Sequence, residues 1–269
     1  MGVSCQHVLE AIRRFAPPTL ALDGDPTGLQ VGRADRPIER VLCCLDLTEA
    51  VAREAADLGV GLIVSHHAVV FRPLRDLRTD RPRGRILELL LKNEIAVYVP
   101  HTALDVTRGG LNDWLAGQLG LLDTQPLRIT AAAQSADQPQ GIGRLGRLAG
   151  SSSLQQLAEQ LKAALQAPAV RVVGDLQAVP RQAAVLCGDG RSFLHAAADA
   201  GAELLVTGDI DHHSALEARA LGMALLDVGH FSSERAAARL LADALRAALA
   251  GQALEIFETQ LSTQPFSYL

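Results

Sequence analysis

Residues 40–65 read RVLCCLDLTEAVAREAADLGVGLIVS, and this stretch decides the fold. Its opening, Arg40–Leu45, is a short apolar run of strand formers. Thr48–Leu58 then takes helical spacing, with Thr48 placed as N-cap and Gly59 as the stop. Gly61–Ser65 is a second buried strand. Downstream, Gly84–Asn93 reads as a helix and Ile95–Val99 as a strand. This βαβαβ rhythm predicts a mainly parallel sheet with helices on its faces.

Beyond it, Arg128–Gln140 (RITAAAQSADQPQ) loses periodicity and reads as a domain junction. A second unit follows. It has strands near Gly143–Leu148, Val170–Val173, Ala184–Cys187, Glu203–Thr207 and Met223–Val228. Helices are expected at Ser153–Leu165, Ser192–Ala200 and His213–Leu221, and the Ala- and Leu-rich Arg235–Leu249 is strongly helical. The two units resemble each other. AADLGVGLIVS (Ala55–Ser65) matches AADAGAELLVT (Ala197–Thr207), and VLCC at Val41 matches VLCG at Val185. Each closes with H-x-x-x-[DE] past a buried strand, His101–Asp105 in one and His230–Glu234 in the other. The expected organisation is two similar three-layer α/β domains, residues 1–127 with 227–269 and residues 128–226, sharing one cleft.

The 269 residues are 48% hydrophobic and 20% charged, enough for a packed core, while 3% aromatics leave that core to aliphatic side chains. The net charge of −5 gives no basic face for nucleic acid. Arg33–Arg40 and Arg72–Arg85 are interrupted by acids and read as solvated loops. Neither a signal-peptide pattern nor an apolar run near ~18 residues occurs, so a cytoplasmic protein without a membrane span is expected. Cys5, Cys43, Cys44 and Cys187 fit no CxxC spacing and read as buried, reduced thiols.

The histidines carry the chemistry. His66 and His67 follow GLIVS, His101 follows IAVYVP, and His230 follows LLDVG. In open α/β sheets, ligands bind beyond the carboxyl ends of strands. Imidazole with carboxylate suits zinc, manganese or iron(II). One ion takes about three or four protein ligands. His66, His67, Asp105, His230 and Glu234 exceed that, which favours two divalent ions roughly 3.5–4 Å apart. Asp105 and Glu234 are the bridging candidates. His101 reads either as a ligand or as a group orienting one. His212 and His213 follow the strand end Thr207–Asp209 and either handle protons in the cleft or form a polar helix start. Asp46 is an orienting group or an N-cap. Gly188–Ser192 is a tight βα turn or an anion-binding one. His195 reads as structural and His7 as a surface residue.

At this point the motifs resemble a known family. They are DPTGLQVG (Asp25–Gly32), SHHAVVF (Ser65–Phe71), HTALD (His101–Asp105), GLND (Gly110–Asp113), GIGRLG (Gly141–Gly146), TGDIDHH (Thr207–His213), DVGHFSSE (Asp227–Glu234) and the terminal QPFSYL. Together they resemble the Nif-three-like proteins, also known as GTP cyclohydrolase 1 type 2 homologues, from end to end. The resemblance implies a two-domain α/β fold, a dinuclear metal centre between the domains on the ligands named above, and a toroidal homohexamer. Two departures stand out. The family's aromatic-Asp-Asn-x-Gly-Leu opening is here Leu22–Leu29 (LDGDPTGL), and its Pro after the His pair is Ala68. The length leaves no room for the middle insertion some members carry.

The expected activity is metal-dependent hydrolysis of a small, nucleotide-like substrate, either ring opening of a purine nucleotide such as GTP or phosphoester cleavage. His101, His212 or His213 would carry the proton. The alternative is a metal-sensing, metal-delivery or scaffold protein without turnover.

Overall fold

The structure, a computed structural model, describes residues 2–130 and 139–269. Residues 131–138, the middle of the expected junction, lie outside the described residues. The chain divides into two compact units, Met1–Thr107 with Ala237–Gln264, and Arg108–Ala236 with Pro265–Leu269.

The first unit runs β1 (Val3–Ser4), α1 (Cys5–Phe15), β2 (Gly28–Val31), β3 (Pro37–Ile38), β4 (Arg40–Cys44), α2 (Glu49–Asp57), β5 (Leu62–Ser65), α3 (Pro82–Lys92), β6 (Ala96–Val99) and α4 (Thr102–Val106). The second holds α5 (Leu111–Leu119), β7 (Leu121–Ile129), β8 (Gly141–Leu148), α6 (Leu154–Ala164), β9 (Arg171–Val173), β10 (Gln182–Asp189), α7 (Leu194–Asp199), β11 (Leu204–Gly208), α8 (His212–Ala220), β12 (Ala224–Asp227) and α9 (His230–Glu234). The chain then returns to the first unit as α10 (Ala237–Ala248) and β13 (Glu255–Glu258).

In the first unit the main sheet has the order β13-β4-β5-β6-β2, parallel except for the antiparallel edge strand β2. Successive residues of β4 point to opposite faces. Leu42 and Cys44 join Ile63, Val97 and Val99 in a core with Val51, Ala55, Leu87 and Leu90 from α2 and α3. Val41 and Cys43 are also fully buried, and α10 packs against β4 and β13. Burial on both faces is why VLCC, Val41–Cys44, is apolar throughout rather than alternating. Thr48 caps α2 as expected, its hydroxyl accepting from Val51 N–H at 3.3 Å.

The second unit's sheet runs β7-β8-β10-β11-β12-β9. Its parallel centre β10-β11-β12 is flanked by antiparallel strands on both sides, so the sheet is more mixed than the sequence rhythm implied. Ala184, Leu205 and Leu225 pack with Leu194, Ala197, Ala218 and Met223. Ser153 and Gln156 close a capping box on α6. Among the described residues no helix is long and apolar enough to cross a membrane.

Candidate metal centre

In the first unit the donors gather where β5 and β6 end. The β4–β5 ladder continues past the strand, with His66 N–H donating to Cys44 O at 3.0 Å and His67 N–H to Leu45 O at 2.9 Å. His66 is wholly buried and His67 half-buried. Between β6 and α4 the backbone kinks sharply at His101, at φ 39° and ψ −122°. For a residue other than glycine this left-handed conformation is strained. The kink brings the His101 ring to 5.4 Å from that of His66 and 5.7 Å from that of His67, centre to centre. Donor nitrogens of all three lie within 4.8 Å of one another. Asp105, on α4, places Oδ1 3.9 Å from His66 Nε2.

Behind two of these rings stands an aspartate. Asp46 Oδ1 accepts from His67 Nδ1 at 2.7 Å, and Asp25 Oδ1 from His101 Nδ1 at 2.5 Å. An ionised carboxylate only accepts, so each ring carries its proton on Nδ1 and presents Nε2. Asp25 also accepts from the Thr102 amide at 3.1 Å and from the Thr102 hydroxyl. Burial, the largest single influence, pushes the Asp25 pKa up. The hydrogen bonds from His101 and Thr102, with the attraction of His101, outweigh it and hold the carboxyl below its ordinary value.

The second unit repeats the arrangement with other parts. His230 opens α9. Its Nδ1 donates to Asp209 Oδ2 at 2.8 Å, and its Nε2 lies 3.0 Å from Glu234 Oε2, one helical turn on. Glu234 is buried, and its carboxylate fills the space beside Gly188. Gly188 has φ +67°, and a Cβ built there would collide with Glu234 Oε1. Ser233 ties the two segments together. Its hydroxyl accepts from Gly188 N–H at 2.9 Å and donates to His230 O at 2.7 Å. Asp227 sets the neighbouring loops by accepting from Ile210 N–H at 3.0 Å and Gly229 N–H at 2.9 Å.

Within the first unit, then, the structure brings together His66, His67, His101 and Asp105, and within the second His230 and Glu234. His212 and His213 begin α8 on the Asp211 N-cap. Both are exposed, and neither joins a metal-donor group among the described residues. His212 instead lines a depression of about 950 Å³ beside β9, with Asp175, Glu203 and Arg219. His195 pairs with Glu217 at 2.6 Å on the surface. Gly188–Ser192 forms the turn at the end of β10, braced by Arg191 on Asp189. Sequence reasoning missed Asp25 and Asp209. Asp209 had a signal, since it stands two residues past its strand's hydroxyl residue, as His67 does. Asp25 lay inside a recognised motif without an assigned role.

Three imidazoles with a carboxylate, two of the rings backed by aspartates, make a donor set that fits zinc, manganese or iron(II). Fold and donors together define a mixed α/β protein with histidine and carboxylate groups that could hold a metal ion. The Duf34/NIF3 (NGG1p interacting factor 3) family model matches residues 3–265, and the chain belongs to that family. A Streptococcus pneumoniae protein described as a GTP cyclohydrolase 1 type 2 homolog is 35% identical, with 98% of each chain covered. Among solved structures, a Bacillus cereus protein related to NIF3 superposes with a TM-score of 0.93 at 27% identity, covering 99% of each chain. The Staphylococcus aureus hypothetical protein SA1388 gives a TM-score of 0.88 at 25% identity over 100% of each chain. The family and the α/β class expected from the sequence are thus both borne out.

Proposed function

We propose that this chain is a metal-dependent hydrolase taking two divalent ions per chain. His66, His67 and Asp105 of the first unit and His230 and Glu234 of the second serve as ligands. The observation that carries this reading is the pairing of each partly buried ligand ring with its own acid, His67 with Asp46 and His230 with Asp209, an arrangement repeated in the proton carrier His101 with Asp25. That pairing is how proteins fix the tautomer and aim of a metal-binding imidazole. When bound, the ions would supply Lewis acidity and lower the pKa of water toward neutrality.

The chain's own residues do the rest. His66, fully buried, keeps bulk water from one side of the donor group. His101 holds and releases a proton at Nε2 while Asp25 fixes Nδ1. The proposed substrate is nucleotide-like, in keeping with relatives named for GTP cyclohydrolase 1 type 2. Phosphoester hydrolysis is the second chemistry this ligand set suits. A homohexamer and a cytoplasmic location belong to the same proposal, and light scattering tests the former.

The test is to strip the protein with chelator, restore Zn²⁺, Mn²⁺ or Fe²⁺, and screen nucleotides for product. Metal-dependent turnover is expected. It should vanish in Glu234→Gln, and in His101→Gln with metal content retained. If no metal gives turnover on a broad panel while the ions still bind, the metal-sensing or delivery reading replaces this one.

A further inference from the structure

The C-terminal stretch after β13 plays no part in the donor set itself, yet it reaches one of its supports. Past β13 the chain stays beside β4, with Thr259 N–H donating to Cys43 O at 3.0 Å. Glu54, from α2, then grips the chain. It accepts from the Thr259 hydroxyl at 2.5 Å and from Gln260 N–H at 3.0 Å. Further along, the half-buried Thr263 donates its hydroxyl to Asp46 Oδ2 at 2.5 Å. The other oxygen of that carboxylate is the one that accepts from His67 Nδ1 at 2.7 Å.

We infer that Thr263 is a positioning residue for His67, acting through Asp46, and that the strap 259–263 sets how firmly that ring is aimed. A carboxylate turns about a broad, roughly two-fold torsion, so a hydroxyl held on one oxygen helps to decide which oxygen faces the ring. The Asp46 side chain is 35% exposed, and water competes for both of its oxygens. A charge-assisted O–H···O⁻ bond to Oδ2 opposes that competition and keeps Oδ1 on the ring. The ring then stays in the Nδ1–H form with Nε2 outward. Glu54 fixes the strap's register upstream, so the Thr263 hydroxyl arrives without a search over the exposed residues Gln260–Ser262. The effect on metal rests on the reading of His67 as a ligand. The effect on the ring does not.

The experiment uses the full chain with Thr263→Val, Thr263→Ser and Asp46→Asn. In metal-free protein at pH 8, ¹⁵N spectra of the His67 ring should show the Nδ1–H tautomer in the parent and in Thr263→Ser, and a tautomer mixture in Thr263→Val. Thr263→Ala should match the valine variant, which covers any disturbance of the strap by valine. Zinc affinity by chelator competition should fall about 3- to 10-fold in Thr263→Val, less than the roughly 10–100-fold expected for Asp46→Asn. Thr263→Val added to Asp46→Asn should cause no further loss. An unchanged tautomer signal in Thr263→Val, or a loss that simply adds to that of Asp46→Asn, overturns the inference. If the parent takes up no zinc, the metal reading fails while the tautomer signal still decides this one.

Discussion

The two units follow one plan but hold their donors in different frames. Val64 pairs with Tyr98 in the first sheet and Val206 with Leu226 in the second. Counted from those registers, His101 corresponds to Gly229, and His230 corresponds to Thr102. The two H-x-x-x-[DE] segments look like one repeat but sit a residue apart. His101 is the strained N-cap of α4, whereas His230 is the first residue of α9. The same count sets Gly208 where the first unit has His66. A Cβ at Gly208 would run into the backbone of Gly229 and His230, so a buried ring has no room there. It also pairs Val185 with Cys43 rather than with Val41, two residues off the VLCC–VLCG match in the sequence, and so sets Gly188, in the bulge of β10, where the first unit has Asp46. In the first unit strand ends supply both His67 and the acid behind it. In the second, the strand ends give Asp209 and a bare glycine, and the helix brings His230 and Glu234. What the units share is the pairing of ring with acid, not the positions that supply it.

The largest effect should come from the richer unit. His66 has no counterpart in the second, so His66→Ala should weaken metal binding by more than about 100-fold, beyond the range typical of an outer-shell loss. Chelator competition measures it. Parent-like affinity in this variant would mean that the first unit's imidazoles are not the principal ligands.

Next in size is Gly188→Ala, which asks whether the second unit needs its glycine. Gly109, at φ +72°, has open space where a Cβ would stand, with nothing within 4 Å, and serves as the control. Both alanines meet the left-handed penalty of about 1–2 kcal/mol. Only Gly188→Ala must also displace Glu234. It should therefore lose most of the metal affinity that Glu234→Gln loses, while Gly109→Ala keeps it. Equal behaviour of the two alanines would show that Gly188 serves the turn alone.

These differences explain what is legible in the sequence. Strands buried on both faces write themselves as apolar runs, so RVLCCL, GLIVS and IAVYV lead directly to β4, β5 and β6. The Thr48 and Ser153 caps mark two helix starts. Edge strands are half exposed and carry no such run. Gly28–Val31, Leu121–Ile129 and Glu255–Glu258 escape a sequence reading as strands for that reason. Arg235–Leu249 reads as a helix from its Ala- and Leu-rich composition and is one, as α10 over Ala237–Ala248, whereas the five-residue α9 before it has no such composition to mark it. Histidines at strand ends are legible because imidazole is rare and chemically marked. The aspartates behind them are not, because Asp is common in turns, and only the fold shows that Asp25, 76 residues away, meets His101.

Those aspartates give a graded prediction across the units. Side-chain exposure rises from 5% at Asp25 to 35% at Asp46 and 49% at Asp209. Water screens an exposed acid and can replace its hydrogen bond. Replacement by Asn should thus follow that order, near 100-fold at Asp25 and about 10-fold or less at Asp209, in metal affinity or in turnover. A reversed order would break the equivalence of the three pairs.

The smallest effect separates the units by alkali. The first unit buries two adjacent thiols in β4, Cys43 and Cys44, both at 0% exposure. The second places Cys187 at 6%, with its sulfur on Ser233 O. Burial, eased in part by a hydrogen bond with Ser65, pushes the Cys44 thiol from 9.0 up to about 12, and burial lifts Cys43 well above its ordinary value. Well below pH 9 both states carry neutral thiols, and nothing is lost. As pH rises past 9 the unfolded chain ionises while the folded thiol cannot, so stability falls until the folded thiol itself titrates. For Cys44 the loss is on the order of 1 kcal/mol at pH 10. The urea midpoint of the parent should drop between pH 8 and pH 10, and Cys44→Ala should flatten that drop. Cys187→Ala should leave the slope of the first unit's transition unchanged. If Cys44→Ala keeps the full parental slope, ionisation of this buried thiol is not what alkali acts on, and the two strands differ in packing alone.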